Sequence, residues 1–184
     1  MGFLVNSTYI TLDGVIGDPQ DWPSTGDDGG ASKKIQTDLL LASDALIMGR
    51  RTYEVFAATW PERSGDAYSD HINTMPKYVA STTLTAPSWS ATSVLAERAA
   101  ERVAALKGDG ARLIQYGFGS FSRTLLEHGL IDELRLWVHP FLVGGGDLLF
   151  HKGLTARFAL ADAGVLPSGL AVLTYRPKPA RQPA

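Results

Sequence analysis

The chain has 184 residues, 45% of them apolar, which suffices for one compact domain with a substantial core, and no internal repeat or mid-chain linker divides it. Its 17 basic and 19 acidic residues give a formal charge of −2, which removes any global electrostatic case for a nucleic acid or an anionic membrane as partner. The lack of cysteine excludes disulfides, thiol catalysis and zinc–thiolate sites; Met1-Gly2-Phe3-Leu4-Val5-Asn6 carries no secretory pattern and no run reaches transmembrane length, so a cytoplasmic protein is expected.

In chain order, apolar periodicity predicts a strand over Phe3–Ile10, a helix over Ala31–Ser43, a strand over Ala45–Met48 and helices over Thr52–Ala58 and Ala67–Asn73. A strand over Lys77–Ser81, a helix over Leu95–Leu106, a strand over Arg112–Tyr116 and a helix over Phe118–Glu127 follow. Three strands, Glu133–His139, Phe158–Ala163 and Ala171–Arg176, end the pattern. Helices between the first four strands imply a parallel centre, and the closely spaced last two imply an antiparallel edge. One domain over 1–176 is expected. The Pro-rich segment 177–184 cannot continue a central strand and reads as a disordered tail.

The most informative stretch is Leu46-Ile47-Met48-Gly49-Arg50-Arg51-Thr52-Tyr53, where a short apolar strand ends in glycine and two guanidiniums and a hydroxyl open a helix. Such a junction suits an anion, because a helix start offers free N–H groups and partial positive charge, arginine adds bidentate donors, and glycine admits close approach. It also suits a plain turn with solvated arginines. A second junction, Leu113-Ile114-Gln115-Tyr116 followed by Gly117-Phe118-Gly119-Ser120, suggests two helix starts aimed at one extended phosphate-bearing ligand at the carboxyl ends of parallel strands. Neither matches a dinucleotide fingerprint with three glycines and a distant acid, and no P-loop lysine pattern occurs.

Asp13-Gly14, Gly49 through Tyr53, Pro76-Lys77-Tyr78-Val79-Ala80-Ser81, Trp89, Gly117 through Ser120, Gly129-Leu130-Ile131-Asp132-Glu133-Leu134 and Pro140 through Gly146 stand in an order that resembles the dihydrofolate reductase superfamily. The similarity is to the branch of the C-terminal reductase domain of the bifunctional riboflavin-biosynthesis deaminase/reductase, over about Phe3 to Tyr175. The resemblance implies a three-layer α/β fold, a mixed central sheet with a parallel centre, an antiparallel C-terminal edge and helices on both faces. It implies NADPH as cofactor, with hydride delivered to a small heterocyclic, imine or carbonyl substrate. Carried over by position, Gly49, Arg50, Arg51 and Thr52 hold cofactor phosphates, Ser81 and Thr82 lie near the adenosine 2′-phosphate, and Gly117, Phe118, Gly119, Ser120 and Phe121 cradle the pyrophosphate. Tyr9 and Ile16 are candidates to flank the nicotinamide, Trp22 to cover it from a long Gly- and Pro-bearing loop, and Asp13, Tyr53 and Trp60 to line the substrate site. Tyr9, Tyr53 and Trp60 read equally as core aromatics, Trp22 as a packing residue, and Phe141 through Gly146 either as backbone approaching the ligand or as a turn.

One departure bears on the substrate. Folate reductases carry a carboxylate on the first helix, and aligning on Gly49 puts Lys33 there. Asp27 and Asp28 before the helix, or Asp38 on it, are possible replacements; alternatively Asp28 starts the helix and Asp38 is solvated. Asp28, Asp38 and Lys33 are therefore the catalytic candidates. Lys33 would suit an anionic substrate such as a ribityl or ribosyl phosphate, although the chain lacks a fused deaminase. His71, His128, His139 and His151 do not have metal-pair spacing, so no metal is expected, and no Gly-x-Ser-x-Gly elbow occurs. Two other functions stay open: a nucleotide-binding sensor or scaffold of the same fold without turnover, and a divergent dihydrofolate reductase. A homodimer is expected, through apolar surface at Leu134, Leu136, Trp137 and Val138 with Leu170 to Leu173, although the same residues read equally as core.

Overall fold

The structure is a computed structural model that describes residues 2–178. Eight strands form one sheet: β1 (Phe3–Thr11), β2 (Ala45–Gly49), β3 (Lys77–Ala80), β4 (Thr92–Leu95), β5 (Arg112–Tyr116), β6 (Glu133–His139), β7 (Phe158–Val165) and β8 (Ala171–Pro177). Five α-helices intervene: α1 (Ala31–Leu41), α2 (Arg50–Ala57), α3 (Ala67–Thr74), α4 (Ala99–Gly108) and α5 (Ser120–Glu127). The order across the sheet is β4-β3-β2-β5-β1-β6-β8-β7. β4, β3, β2, β5, β1 and β6 run parallel, and β8 and β7 add antiparallel at the C-terminal edge. The expected mixed sheet with helices on both faces is therefore present.

Strand alternation builds the two faces. On β2, Leu46 and Met48 pack with Leu40 of α1, Tyr53 of α2 and Tyr68 and Ile72 of α3. Ala45 and Ile47 face the opposite way, onto Val103 of α4 and Leu125 of α5. β1 lies in the middle, pairing Phe3–Ser7 with β5 and Val5–Thr11 with β6. Both its faces are covered, yet Asn6, Ser7 and Thr8 are polar and buried. Asn6 Nδ2 donates to Gln115 Oε1 at 2.8 Å and to the Gly117 carbonyl at 2.8 Å, while Asn6 Oδ1 accepts from the Thr8 hydroxyl at 2.7 Å. Ser7 accepts from Trp137 Nε1 at 2.9 Å through its hydroxyl and from Gly117 N at 3.0 Å through its carbonyl.

Four expectations are corrected. Thr92–Leu95 forms a strand, not the approach to a helix, because its half-polar pattern is completed by the ladder to β3; α4 starts later, after Arg98 at φ +51°. The helix starts differ too: α2 begins at Arg50, which puts both arginines in its first turn, and α5 begins at Ser120 with Phe118 buried in the preceding turn. Pro177 is not tail but the last residue of β8, opposite Phe158, and Lys178 N donates to Arg157 O at 2.7 Å; residues 179–184 lie outside those described. The apolar segment expected to be a dimer surface is largely interior, with Leu134, Trp137, Leu170 and Val172 all buried. The exposed large apolar residues include Leu142, Leu148, Phe150 and, on the edge strand β7, Leu160 and Val165.

Two tests follow. Replacing Asn6 with Leu strands the Thr8 hydroxyl, the Gln115 side-chain carbonyl and the Gly117 carbonyl, and a stranded buried polar group costs about 1–3 kcal/mol. Denaturant unfolding of Asn6→Leu is expected to show a loss of about 3 kcal/mol; a loss below about 1 kcal/mol contradicts the network. Lys77 is fully buried, its Nζ donating to the carbonyls of Met75, Asn73 and Ser90 at 2.9–3.2 Å beneath the Trp89 ring, and burial lowers its pKa from 10.5 to about 8. Between pH 8 and 10.5 the unfolded chain keeps a proton that folded Lys77 has released, so this residue makes stability rise with pH across that window. The stability of wild type relative to Lys77→Met is expected to increase from pH 8 to 10, with tyrosine effects common to both; a constant or falling difference contradicts this.

Candidate active site

The carboxyl ends of β2 and β5 deliver two helix starts to one place. Gly49 and Gly119, which precede α2 and α5, provide no side-chain cap, whereas Asp66 before α3 accepts from Tyr68 N and Ser69 N. A Cβ built on Gly49 would lie 3.8 Å from Phe121 Cβ, and one on Gly117 would lie 3.5 Å from Thr52 Oγ1, so the two first turns face each other. Gly117 sits at φ +74°, a left-handed conformation that favours glycine, and a Cβ on Gly119 would meet nothing within 4 Å. Uncapped N–H groups in front of open space suit an anion.

Charged side chains border this space. Arg50 reaches Glu54 Oε1 at 2.6 Å through Nε and meets the Thr83 hydroxyl through Nη1. Ser81 Oγ accepts from Leu84 N at 2.9 Å and from Thr83 N at 3.2 Å, closing a turn that carries Thr83 toward Arg50. Thr83, not Thr82, is thus the hydroxyl beside the guanidinium, a choice set by the turn and invisible in the spacing. Arg51 bridges Asp147 and, at 3.2 Å, Asp18.

The loop after β1 is anchored at both ends. Asp13, expected at the substrate, instead holds the glycine run: it accepts from the Thr11 hydroxyl, from Gly144 N at 2.8 Å and from Val143 N at 3.2 Å, and the Thr11 contact foremost keeps its carboxyl below the usual range. Ile16 N donates to Asp147 O at 2.8 Å, and its side chain packs against the core on the α5 face. Gly146 admits Val15 where a Cβ would come within 2.8 Å of Val15 Cγ1, so the glycine run approaches this loop. Trp22 donates to the Gly17 carbonyl at 3.0 Å and sets its ring 5.2 Å from that of His139. Tyr9 and Phe141 complete the cluster, at 5.0 and 5.5 Å from His139. Among the described residues neither His139 ring nitrogen has a partner, and burial lowers its pKa.

Beside the cradle opens a cleft of about 680 Å³ between β1, α1 and the segment leading into α3. Tyr9 and Trp60 are among its lining residues. Tyr53 does not, because it is a core residue whose hydroxyl accepts from Trp89 N at 3.1 Å. The face that α1 presents is Ser32, Lys33 and Gln36. The other candidates on this helix are engaged elsewhere. Asp38 pairs with Lys34 at 2.5 Å and is exposed, and Asp27 accepts from Gly29 N at 2.9 Å. Asp28 accepts from Gly30 N and Ser32 N at the start of α1, and its Ser32 contacts hold its pKa down.

Sequence reasoning missed the carboxylates that do line the cleft, Glu62 and Asp66, as well as Tyr68. Bonds from Ser69 foremost, with Lys33 opposite, hold the Asp66 pKa below the usual range. The string Asp66-Ala67-Tyr68-Ser69 was a visible helix start, but nothing in it tells that α3 packs beside α1. Among the described residues no group of three or more His, Asp or Glu is placed to hold a metal ion, and no helix is long and apolar enough to cross a membrane.

Comparison with known proteins agrees with this architecture. The chain is 28% identical over 148 residues to the uncharacterized protein YyaP of Bacillus subtilis (strain 168), covering 77% of this chain and 76% of that one. A putative riboflavin biosynthesis protein from Shewanella sp. PV-4 superposes with a TM-score of 0.70 at 24% identity, over 97% of this chain and 100% of the other. A pyrimidine reductase-like protein from Corynebacterium diphtheriae gives 0.64 at 15% identity, over 97% and 92%. The Thermotoga maritima diaminohydroxyphosphoribosylaminopyrimidine deaminase/5-amino-6-(5-phosphoribosylamino)uracil reductase gives 0.66 at 14%, where the match spans 96% of this chain but 57% of that larger one. At these identities the structures establish the shared fold. The RibD C-terminal domain model matches residues 3–172, and the chain therefore belongs to the RibD C-terminal domain family of reductases.

Proposed function

We propose that this chain is an NADPH-dependent reductase that reduces a C=N or C=O group of a small heterocyclic substrate of the kind taken by pyrimidine reductases. The observation that carries the proposal is the pair of uncapped helix starts facing each other beside Arg50 and Thr83, next to an open polar cleft. These residues fit a dinucleotide. The free N–H groups of α5 and α2 suit the pyrophosphate, and Arg50 with Ser81 and Thr83 suits an additional phosphate on the adenosine ribose. When bound, the cofactor supplies hydride. Arg51 would exchange Asp18 and Asp147 for phosphate, while Lys33 and Arg63 give the cleft two cations against Glu62 and Asp66. The absence of any α1 carboxylate from the cleft lining argues against dihydrofolate, whose ring donors need a buried acceptor. It is also the observation that favours the second reading, a nucleotide-binding protein without turnover.

A homodimer is proposed on a different surface from the one the sequence suggested, the exposed edge of β7 with Leu160 and Val165. Light scattering at micromolar concentration is expected to give twice the 19.8 kDa of one chain, and a monomer mass removes the proposal.

For the cofactor, calorimetry is expected to show NADPH bound about 10- to 150-fold more tightly than NADH, the worth of a lost charge-assisted hydrogen bond of about 1.5–3 kcal/mol. Gly119→Val should remove binding of both while the fold survives, since its Cβ points into open space that the phosphates need. Equal affinity for the two cofactors defeats the 2′-phosphate assignment, and tight binding by Gly119→Val places the nucleotide elsewhere.

A further inference from the structure

Two phenols meet between the cleft and the glycine turn. Tyr68 stands in the first turn of α3 and lines the cleft, whereas Tyr116 is the last residue of β5, directly before Gly117. Their hydroxyl oxygens are 3.0 Å apart. Apolar rings enclose them, with Trp60 at 4.9 Å from Tyr68 and Phe56 at 5.6 Å from Tyr116. The ionisable groups around the cleft are Tyr9 from β1, Lys33 from α1 and Glu62, Arg63 and Asp66 from the segment before α3.

Reduction of a C=N or C=O bond needs a proton as well as a hydride, and the cleft offers few sources. Asp66 is a poor one, because Ser69 N, the Ser69 hydroxyl and Tyr68 N already satisfy its oxygens as a carboxylate. Lys33 and Glu62 are exposed at the rim. Tyr68 is buried, reaches through its hydrogen bond to Tyr116 the residue directly before Gly117, and has one phenolic proton, shared in the structure with the Tyr116 oxygen.

Resting on the reductase reading, we propose that Tyr68 is the proton donor of the reduction and Tyr116 its positioning partner: the Tyr68 hydroxyl, which donates to the Tyr116 oxygen in the structure, turns its proton to the substrate, and the Tyr116 hydroxyl then donates to the phenolate left behind. The substrate carbon accepts hydride from a dihydronicotinamide, and the π pair moves to the nitrogen or oxygen. The Tyr68 O–H bond breaks as its proton joins that atom, giving an amine or alcohol, and the phenolate regains a proton from water in the open cleft once product leaves. Burial supports the assignment: it pushes the Tyr68 pKa up to about 12 and that of Tyr116 well above the usual value, so both phenols remain protonated near neutrality. The Tyr116 contact works the other way on Tyr68, lowering its pKa, so Tyr68 is the easier of the two to ionise.

The test uses the whole chain with NADPH and 5-amino-6-(5-phosphoribosylamino)uracil as probe. Tyr68→Phe is expected to lower kcat about 100-fold or more, with KM and the calorimetric affinity for NADPH within about threefold of wild type. Tyr116→Phe should lower kcat about tenfold with the same affinities, and the solvent deuterium effect on kcat should disappear in Tyr68→Phe. An active wild type with full kcat in Tyr68→Phe, or an equal loss in Lys33→Met with Tyr68→Phe unaffected, overturns the donor assignment alone. Full kcat in Tyr116→Phe overturns the partnership. A wild type that binds NADPH but never oxidises it with the probe overturns the reductase reading for this substrate class and the donor role with it.

Discussion

The structure depends on one buried amide. Asn6 lies in the central strand with both sheet faces covered, where an unpaired polar group would be costly; two of its three hydrogen bonds join β1 to β5 and to the Gly117 carbonyl, and the third comes from Thr8 of its own strand. Ser7 adds the bond from Gly117 N, so both backbone groups of the turn glycine are tied to two adjacent buried polar residues of β1, Asn6 and Ser7. The turn sets where α5 starts, and the start of α5 faces that of α2. A polar network in the core thereby fixes a surface feature, the geometry of two unpaired rows of N–H groups, more tightly than loop packing would.

Around that cradle, charge is arranged as exchangeable pairs. Arg50 rests on Glu54 and Thr83, and Arg51 on Asp18 and Asp147, all of them substantially exposed. Exposed pairs contribute little to stability, so the arginines can leave their carboxylate partners at little cost. The Arg51 pairs also join the loop after β1 to the segment after β6. Trp22 reaches the same region by packing on His139, whose pKa burial lowers. The cleft is different in kind: cations, carboxylates and the phenols of Tyr9 and Tyr68 line it together.

The sheet and both glycine junctions were legible because they rest on local rules, namely alternation in strands, 3.6-residue periodicity in helices and glycine where backbone must turn. β4 was not, since Thr92-Ser93-Val94-Leu95 is a strand by virtue of its neighbour β3. The cleft was read only in part. Lys33 in place of a carboxylate followed from alignment on Gly49, and Tyr9 and Trp60, named as candidates by the resemblance, both line the cleft. Tyr53, one helical turn from the arginines, was drawn to the core by the α2 stripe that also buries against Met48 and Val79. Thr83, Asp66, Tyr68 and His139 depend on a side-chain turn, on helix packing and on strand register, and their chemistry emerges only when distant elements are brought together.

The central claim is that the first turns of α2 and α5 form one anion site. Backbone amide NMR during titration with NADPH tests it most directly. The account predicts that the Arg50, Arg51, Thr52, Gly117, Gly119 and Ser120 amides shift together along one binding curve, with the amides of β7 and β8 unmoved. Shifts confined to one of the two turns, or centred elsewhere on the sheet, would contradict it.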